Sequence, residues 1–539
     1  MDEIKIDISI DSESDKNAIV QMDEMNIVNL DEPESVDPLI SQTEERVIDI
    51  PVEYDPNTVY LTQRLPKVVD PKTGAVKKKR RPRLSKADIF KQQTLPFIIL
   101  AIAAILIVIF IIGSITRAVQ RRAVETAASI AASESMAAEE ARLEEELQSI
   151  LEKSEKMAAG YDYEGAIALI DSFSGNVGAY PELLDARTRY ESDNQYLVSW
   201  DDPNTIVNLS FQTLIADPER AFSNDSYGYL MHDSFVTVGE FQSILEQLYE
   251  NDYILVGISD FIESGTVKDG APHYRYKPLM LPEGKKPLVL TQTNVNYNLY
   301  LVDSDNDMLP DEDGVGIASR LVLDNNGNVT AEIVNSDGSV TTGAYDLIPI
   351  LDAFIEKHPD FSYHGAKAVL ALTGYDGLFG YRTDLDGRTI FGEEQYTKDV
   401  AAVQAIANKL KETGYELACY TYGNEAFGDA SLSYIQIDMN QWTNEVFPII
   451  GSVDIMVFAQ ESDISDGVLY SGEKFDYLKS LGFNYYLGFC NNGDPFTFFA
   501  ENYVRQGRLL VSGYNIIENS NWFSGIFDTE GLLDEVRYQ

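Results

Sequence analysis

Leu288-Val289-Leu290-Thr291-Gln292-Thr293-Asn294-Val295-Asn296-Tyr297 is the stretch on which the fold turns. Pro287 and the three apolar residues after it read as a short buried strand. Strands covered on both faces are continuous apolar runs, not alternating ones. The run then breaks into Gln, Thr, Asn and Asn, which are polar but uncharged. In barrels and open α/β sheets, ligand chemistry sits where strands end at their carboxyl side. This strand end is therefore the first place to look for a site. It carries amides and hydroxyls where acids would be expected.

Outward from this stretch, strand-like and helix-like runs alternate from Asp201 to the end. The strand-like runs are 206–211, 253–258, 288–291, 368–373, 415–420, 454–458, 485–489 and 509–511. Helical periodicity falls at 238–250, 347–357, 396–413, 433–447 and 474–480. Such alternation predicts parallel strands joined by helical crossovers, hence an α/β barrel or a doubly wound sheet. Residues 319–342 depart from the pattern. Asp324-Asn325-Asn326-Gly327-Asn328 and Ser336-Asp337-Gly338-Ser339 are turn signals between short β-rich runs, which predicts a small inserted meander.

The 539-residue chain carries 41 Lys+Arg against 87 Asp+Glu, a formal net charge of -46. Phosphate backbones repel such a chain, which argues against nucleic-acid binding. With two cysteines, Cys419 and Cys490, the chain is neither a disulfide scaffold nor a Cys-rich zinc module. Each ends a strand-like run, and a disulfide and two buried thiols both stay open. His232, His273, His358 and His364 show no paired metal-ligand spacing.

Residues 1–66 are acidic, poor in aromatics and broken by prolines, the composition of a disordered tail. A basic juxtamembrane segment, 67–95, holds Lys77-Lys78-Lys79-Arg80-Arg81-Pro82-Arg83. Residues 96–115 then run without charge. A bilayer core ~30 Å thick needs ~20 apolar residues as helix, so one transmembrane helix is expected. The basic flank places the N-terminus in the cytoplasm and the C-terminal bulk outside the cell membrane. Residues 116–157 read as a helical stalk, with Leu143, Leu147, Ile150 and Leu151 at helical spacing. Residues 158–198, beginning Ala158-Ala159-Gly160-Tyr161-Asp162-Tyr163, resemble half of a tetratricopeptide repeat, a hairpin that must find a neighbour to bury its face.

Within residues 199–539, an ordered set of segments carries a family resemblance. It comprises Phe211-Gln212-Thr213-Leu214, Leu290 to Tyr297, His358-Pro359-Asp360-Phe361-Ser362-Tyr363, Ala371-Leu372-Thr373-Gly374-Tyr375, Gly380-Tyr381-Arg382-Thr383, Gly414-Tyr415-Glu416-Leu417-Ala418 and Lys474-Phe475-Asp476-Tyr477-Leu478. The set resembles the polysaccharide deacetylase family, the NodB-type carbohydrate esterases, in a membrane-anchored bacterial branch. The resemblance implies a distorted (β/α) barrel. It also implies a divalent metal held by an Asp and two His, beside an Asp that acts as base. The Asp-Asp positions fall on Thr293 and Asn294, and the His positions on Tyr420 and Asn424. An upstream aromatic-His-Ser-Leu pattern falls on Phe211-Gln212-Thr213-Leu214. Amides and phenols are poor zinc ligands, and Thr is no base at neutral pH. The expectation is a pseudoenzyme with no catalytic residue and no cofactor, its positions Thr293, Asn294, Tyr420, Asn424 and Gln212 degenerate.

A polar and aromatic set remains: Thr293, Asn294, Asn296, Tyr297, Tyr381, Arg382, Tyr420 and Asn424, with Gln212, Tyr375, Tyr422 and Trp442. Sugar sites combine aromatic faces with amide and hydroxyl bonds, so the expected ligand is a cell-wall glycan or a partner outside the membrane. Tyrosines packed at strand ends are the plainer account. Asp303, Asp305 and Asp307 alternate as calcium ligands do, yet Met308 and Gly314 stand where an EF-hand loop needs Gly and Glu. A solvated acidic loop is the reading preferred. Two other functions stay open. One is a working metal-dependent deacetylase with a rearranged site around Arg382, Asp384 or Glu461. The other is a receptor or scaffold acting through the cytoplasmic tail.

Overall fold

The computed structural model describes residues 86–538 apart from 225, 267–269, 271, 466, 468 and 491, with side chains from residue 97 onward. The expected acidic tail and the basic cluster at 77–83 lie outside the described residues.

Helix α1, Lys86–Ala159, runs unbroken for 74 residues. Every large apolar side chain between Phe97 and Ile115 is exposed, and among the described residues this is the one helix long and apolar enough to cross a membrane. The end of α1 changes character. Leu147, Ile150 and Ala158 are buried against α2 (Tyr163–Asp171) and α3 (Pro181–Asn194), whose Ala166, Ile170, Leu183, Ala186 and Tyr190 close the same cluster. α2 and α3 thus bury their shared face against the end of the stalk. Asp162 caps α2, accepting the Gly165 N–H at 2.9 Å. At the turn, the Gly160 carbonyl accepts the His364 N–H at 2.8 Å, which joins the hairpin to the domain that follows.

That domain is a closed ring of seven parallel strands. They are β1 Val207–Phe211, β2 Lys286–Thr293, β3 Ala368–Leu372, β4 Glu416–Cys419, β5 Ile455–Val457, β6 Tyr485–Phe489 and β7 Val504–Leu510. They follow chain order around the ring. Pairing of Leu509 with Leu209 joins β7 to β1, and Ala371 pairs with Thr293 between β3 and β2, so the sheet closes and the open doubly wound alternative is ruled out. The two faces of the strands feed two cores. Leu209, Phe211, Leu290, Leu370, Leu372, Leu417 and Met456 pack outward against the helices. Val289, Val369, Ala371, Ala418, Val457 and Leu487 fill the ring. Period-two side-chain direction produces this division.

The strand expected at 253–258 is shorter and stands outside the ring. Tyr253–Leu255 pairs with the first residues of β2, because that eight-residue strand extends below the point where β3 joins it. The last ring strand starts five residues before the expected 509, since Arg505, Gln506 and Arg508 mask it as a polar run. The helix expected at 433–447 divides into Leu432–Gln441, a wider π turn Trp442–Val446, and Phe447–Ile450. The expected helix at 396–413 begins earlier, at Leu385, and is kinked at Gly392. The meander is present as the antiparallel strands Arg320–Leu323, Val329–Val334 and Val340–Gly343. It docks on the loop after β3: Leu321 N–H donates to the Phe379 carbonyl at 3.0 Å. At Gly380 (φ 86°) a Cβ would stand 2.3 Å from the Ser319 carbonyl oxygen, so only glycine permits this approach.

Candidate functional site

The loops that follow β1 to β7 surround the carboxyl end of the ring, and the ring below them is polar. Inside it, Asn208 Nδ2 donates to Gln506 Oε1 and Thr291 Oγ1 donates to Asn208 Oδ1, both at 2.9 Å. Two residues further along the same strands come Ser210, Thr293 and Arg508, all at most 2% exposed. These form the floor of the mouth.

On this floor the structure brings together five of the residues expected from sequence. Thr293 Oγ1 donates to the Phe211 carbonyl at 3.3 Å and faces the Tyr420 hydroxyl, which also meets the backbone of Gln460. Asn294 Nδ2 donates to Gln212 Oε1 at 2.9 Å. Gln460 Nε2 donates to the Asn424 carbonyl at 2.6 Å. Gln212, Asn294, Thr293, Tyr420 and Asn424 thereby form one arc of contacts. Asn294 and Asn424 each hold a left-handed backbone, φ 58°, a conformation that asparagine tolerates better than most residues. The Oδ1 atoms of both are buried and accept no hydrogen bond from any described group. Burial raises the Tyr420 pKa above its ordinary value, with the Arg508 charge pulling the other way, so the phenol stays protonated at neutral pH. Tyr300, whose charge state Tyr420 influences, adds an exposed ring 5.8 Å from that of Tyr227.

Asn296 and Tyr297 point elsewhere. Both are fully buried. Asn296 Nδ2 donates to the carbonyls of Thr373 (2.6 Å) and Gly377, and its Oδ1 accepts the Thr373 N–H at 2.9 Å. Tyr297 OH donates to Asp346 Oδ2 at 2.6 Å. The other Asp346 oxygen accepts from Gln292 Nε2, Leu214 N and Leu347 N at 2.7, 3.0 and 2.8 Å. Burial raises the Asp346 pKa, and these four donors oppose the rise. The carboxyl group missing from the mouth is thus present behind it, used to tie loops together.

Tyr381 and Arg382 serve the insertions. The Arg320 guanidinium lies 5.6 Å from the Tyr381 ring centre, and Arg382 donates to the Asp376 and Met308 carbonyls at 2.7 and 3.4 Å. Asp384 caps the helix Leu385–Glu412, accepting the Gly387 N–H at 3.1 Å. Trp442 is fully buried, while Tyr422 OH donates to Glu445 Oε2 at 2.7 Å. In the acidic loop, Asp303, Asp305 and Asp311 place one oxygen each within 4.8 Å of one another. The third member is Asp311, not Asp307, whose Oδ1 instead accepts the Leu309 N–H at 2.8 Å. Cys419 and Cys490 are buried free thiols.

Sequence reading missed Asp438 and Arg508. The Asp438 carboxylate accepts the N–H groups of Tyr422 and Gly423, both at 2.8 Å, and so shapes the loop that carries Asn424. Burial raises its pKa to about 6. Arg508 carried no readable signal, because Val504-Arg505-Gln506-Gly507-Arg508 is neither an apolar run nor an alternation.

The metal implied by the family resemblance can be tested against these donors. The matching positions offer two neutral amides and a phenol that burial keeps protonated, with a threonine in place of the base. Such a set does not fit a zinc-like ion.

No family model matches the chain, and no curated protein matches it. Among solved structures it is similar to Streptococcus pyogenes deacetylase PplD in complex with acetate, at 9% identity and a TM-score of 0.29, over 61% of this chain and 99% of that chain.

Proposed function

We propose that this chain is a membrane-anchored, deacetylase-like protein whose barrel mouth binds a cell-wall glycan without hydrolysing it. The observation that carries the reading is the pair of buried, unpartnered Oδ1 atoms on Asn294 and Asn424 in a mouth lined by amides, hydroxyls and tyrosines. Sugar hydroxyls and acetamido N–H groups are the donors such oxygens lack. The replaced acid, base and ligand positions supply no route to an activated water. The apolar stretch of α1 supports anchoring, and the basic cluster before it supports a cytoplasmic N-terminus. Residues 199–539 are the glycan-binding part in this reading, 158–198 and the stalk 116–157 its spacer, 96–115 the anchor and 1–95 the inner portion.

The test uses the full chain in detergent, with chitin oligomers and N-acetylated peptidoglycan fragments as ligands. Retention at millimolar ligand is expected, with no released acetate and no stoichiometric zinc, cobalt or nickel. A stoichiometric ion together with acetate release would sink the pseudoenzyme reading in favour of a rearranged deacetylase. Absence of retention would remove the glycan.

A further inference from the structure

A glycan mouth built from neutral groups leaves one charge unexplained. Arg508 is 1% exposed at the top of β7. Its guanidinium donates from Nε to the Gly488 carbonyl (3.2 Å), from one terminal nitrogen to Ser210 Oγ (2.8 Å) and from the other to the Phe458 carbonyl (2.8 Å). It also lies 4.4 Å from the Phe489 ring centre. Every one of these partners is neutral. A guanidinium has five N–H donors, so two have no partner among the described residues. Of the other buried arginines, Arg505 and Arg537 each hold a carboxylate at 2.7 Å, from Asp463 and Glu240, while Arg382 holds two backbone carbonyls. No described carboxylate stands that close to Arg508. A buried charge without a close counter-charge costs stability, and an incoming anion would offset that cost. Burial depresses the Arg508 pKa to about 10, in keeping with that cost.

Arg508 also forms part of the wall of a cavity of about 440 Å³. Phe489 and Trp522 supply rings, Ser512 and Asn515 supply polar groups, and Glu461 stands on the same wall. The cavity adjoins the mouth: Glu461 on its wall follows Gln460, which donates to the Asn424 carbonyl, and Arg508 donates to Ser210 on the floor. We propose that this cavity receives the carboxylate of an acidic sugar, with Arg508 as its counter-charge, so that the glycan at the mouth is an anionic one. The inference rests on the glycan reading and specifies its ligand. Arginine suits the task, because its fork meets both oxygens of a carboxylate. Glu461, exposed beside it, works against the anion.

The experiment compares two tetrasaccharides on the full chain in detergent by calorimetry. One is an N-acetylglucosamine tetramer; the other alternates N-acetylglucosamine with N-acetylmuramic acid, which bears a carboxylate. The acidic tetramer should bind about tenfold more tightly, with a preference that falls as salt rises. Arg508→Met should abolish the preference, and Arg508→Lys should restore part of it. Should Arg508→Met fail to fold, Glu461→Gln on the exposed wall should widen the preference about threefold. Equal affinity for the two tetramers overturns this inference and leaves the glycan reading standing. An unchanged preference in Arg508→Met, or in Glu461→Gln where Arg508→Met does not fold, also overturns it. Binding of neither tetramer overturns the glycan reading and this inference with it.

Discussion

A carbonyl oxygen buried without a donor costs ~1–3 kcal/mol relative to a satisfied one, and the barrel mouth carries two, on Asn294 and Asn424. A bound ligand recovers that cost. Replacing either residue by glycine keeps the left-handed backbone and removes the oxygen, so Asn294→Gly and Asn424→Gly should each weaken oligosaccharide binding about five- to tenfold. Calorimetry on folded variants reads this directly, and unchanged affinity in both would take these oxygens out of the site. Asp438 yields a pH prediction at the same scale. Its pKa in the fold is about 6, above the ordinary 3.8, because burial and the nearby Glu425 outweigh two backbone N–H bonds. A carboxyl with a raised pKa contributes stability that is complete below pH ~4 and lost as pH rises through ~6. The denaturation midpoint should therefore fall between pH 4 and pH 7 by an amount on the order of 2 kcal/mol, and Asp438→Asn should flatten that slope. A wild-type slope retained in the variant would assign it to other groups. The arc Gln212, Thr293, Asn294, Tyr420 and Asn424 was legible in sequence because each residue ends a readable strand or flanks one. Arg508 was not, since its burial depends on ring closure, which no local pattern encodes.

Among the elements, runs covered on both faces were the most legible. β2, β3, β5 and β6 are apolar or aromatic in sequence and appear within two residues of expectation at either end. Two antiparallel pairs beside the ring were not foreseen: Leu197–Trp200 with Leu279–Pro282, and the hairpin Ile262–Thr266 with Pro272–Tyr276. Their strands are short and largely exposed, so they lack both the apolar run and the tight two-residue turn that announce a hairpin. Asp346 shows how separate elements are held once formed. It joins the loop after β1 through Leu214, β2 through Gln292, the loop after β2 through Tyr297, and the N-terminus of the helix Leu347–Lys357. Asp346→Ala strands all four donors in a buried layer and should cost about 3–5 kcal/mol in chemical denaturation. Tyr297→Phe removes one donor and should cost about 1–2 kcal/mol. Its effect on ligand affinity should be small, because the Tyr297 hydroxyl faces Asp346 and not the mouth. A loss of binding in Tyr297→Phe without loss of stability would place that residue in the site after all.

At the scale of the whole molecule, α1 combines two environments in one helix. From Phe97 to Ile115 its apolar side chains are exposed, an arrangement that water penalises at ~25 cal/mol per Å² of apolar surface and a bilayer does not. Beyond it, residues 116–142 are exposed and rich in alanine and charge, and as helix they measure ~40 Å. Only from Leu143 onward does the helix find protein to pack against. The same chain is thus suited to lipid, then to water, then to a protein core, and its composition changes at each boundary. The full chain should accordingly sediment with membranes and resist alkaline carbonate. Deleting residues 96–115 should move it to the soluble fraction with its barrel intact by thermal denaturation. In the proposed function the basic residues at 77–83 lie on the cytoplasmic side, the side that charge bias favours. Protease added to intact cells stripped of wall should therefore remove a tag placed after residue 539 and spare one placed before residue 1. The opposite pattern would put the barrel inside the cell, away from any wall glycan, and would end the proposed function however well the mouth binds sugar in vitro.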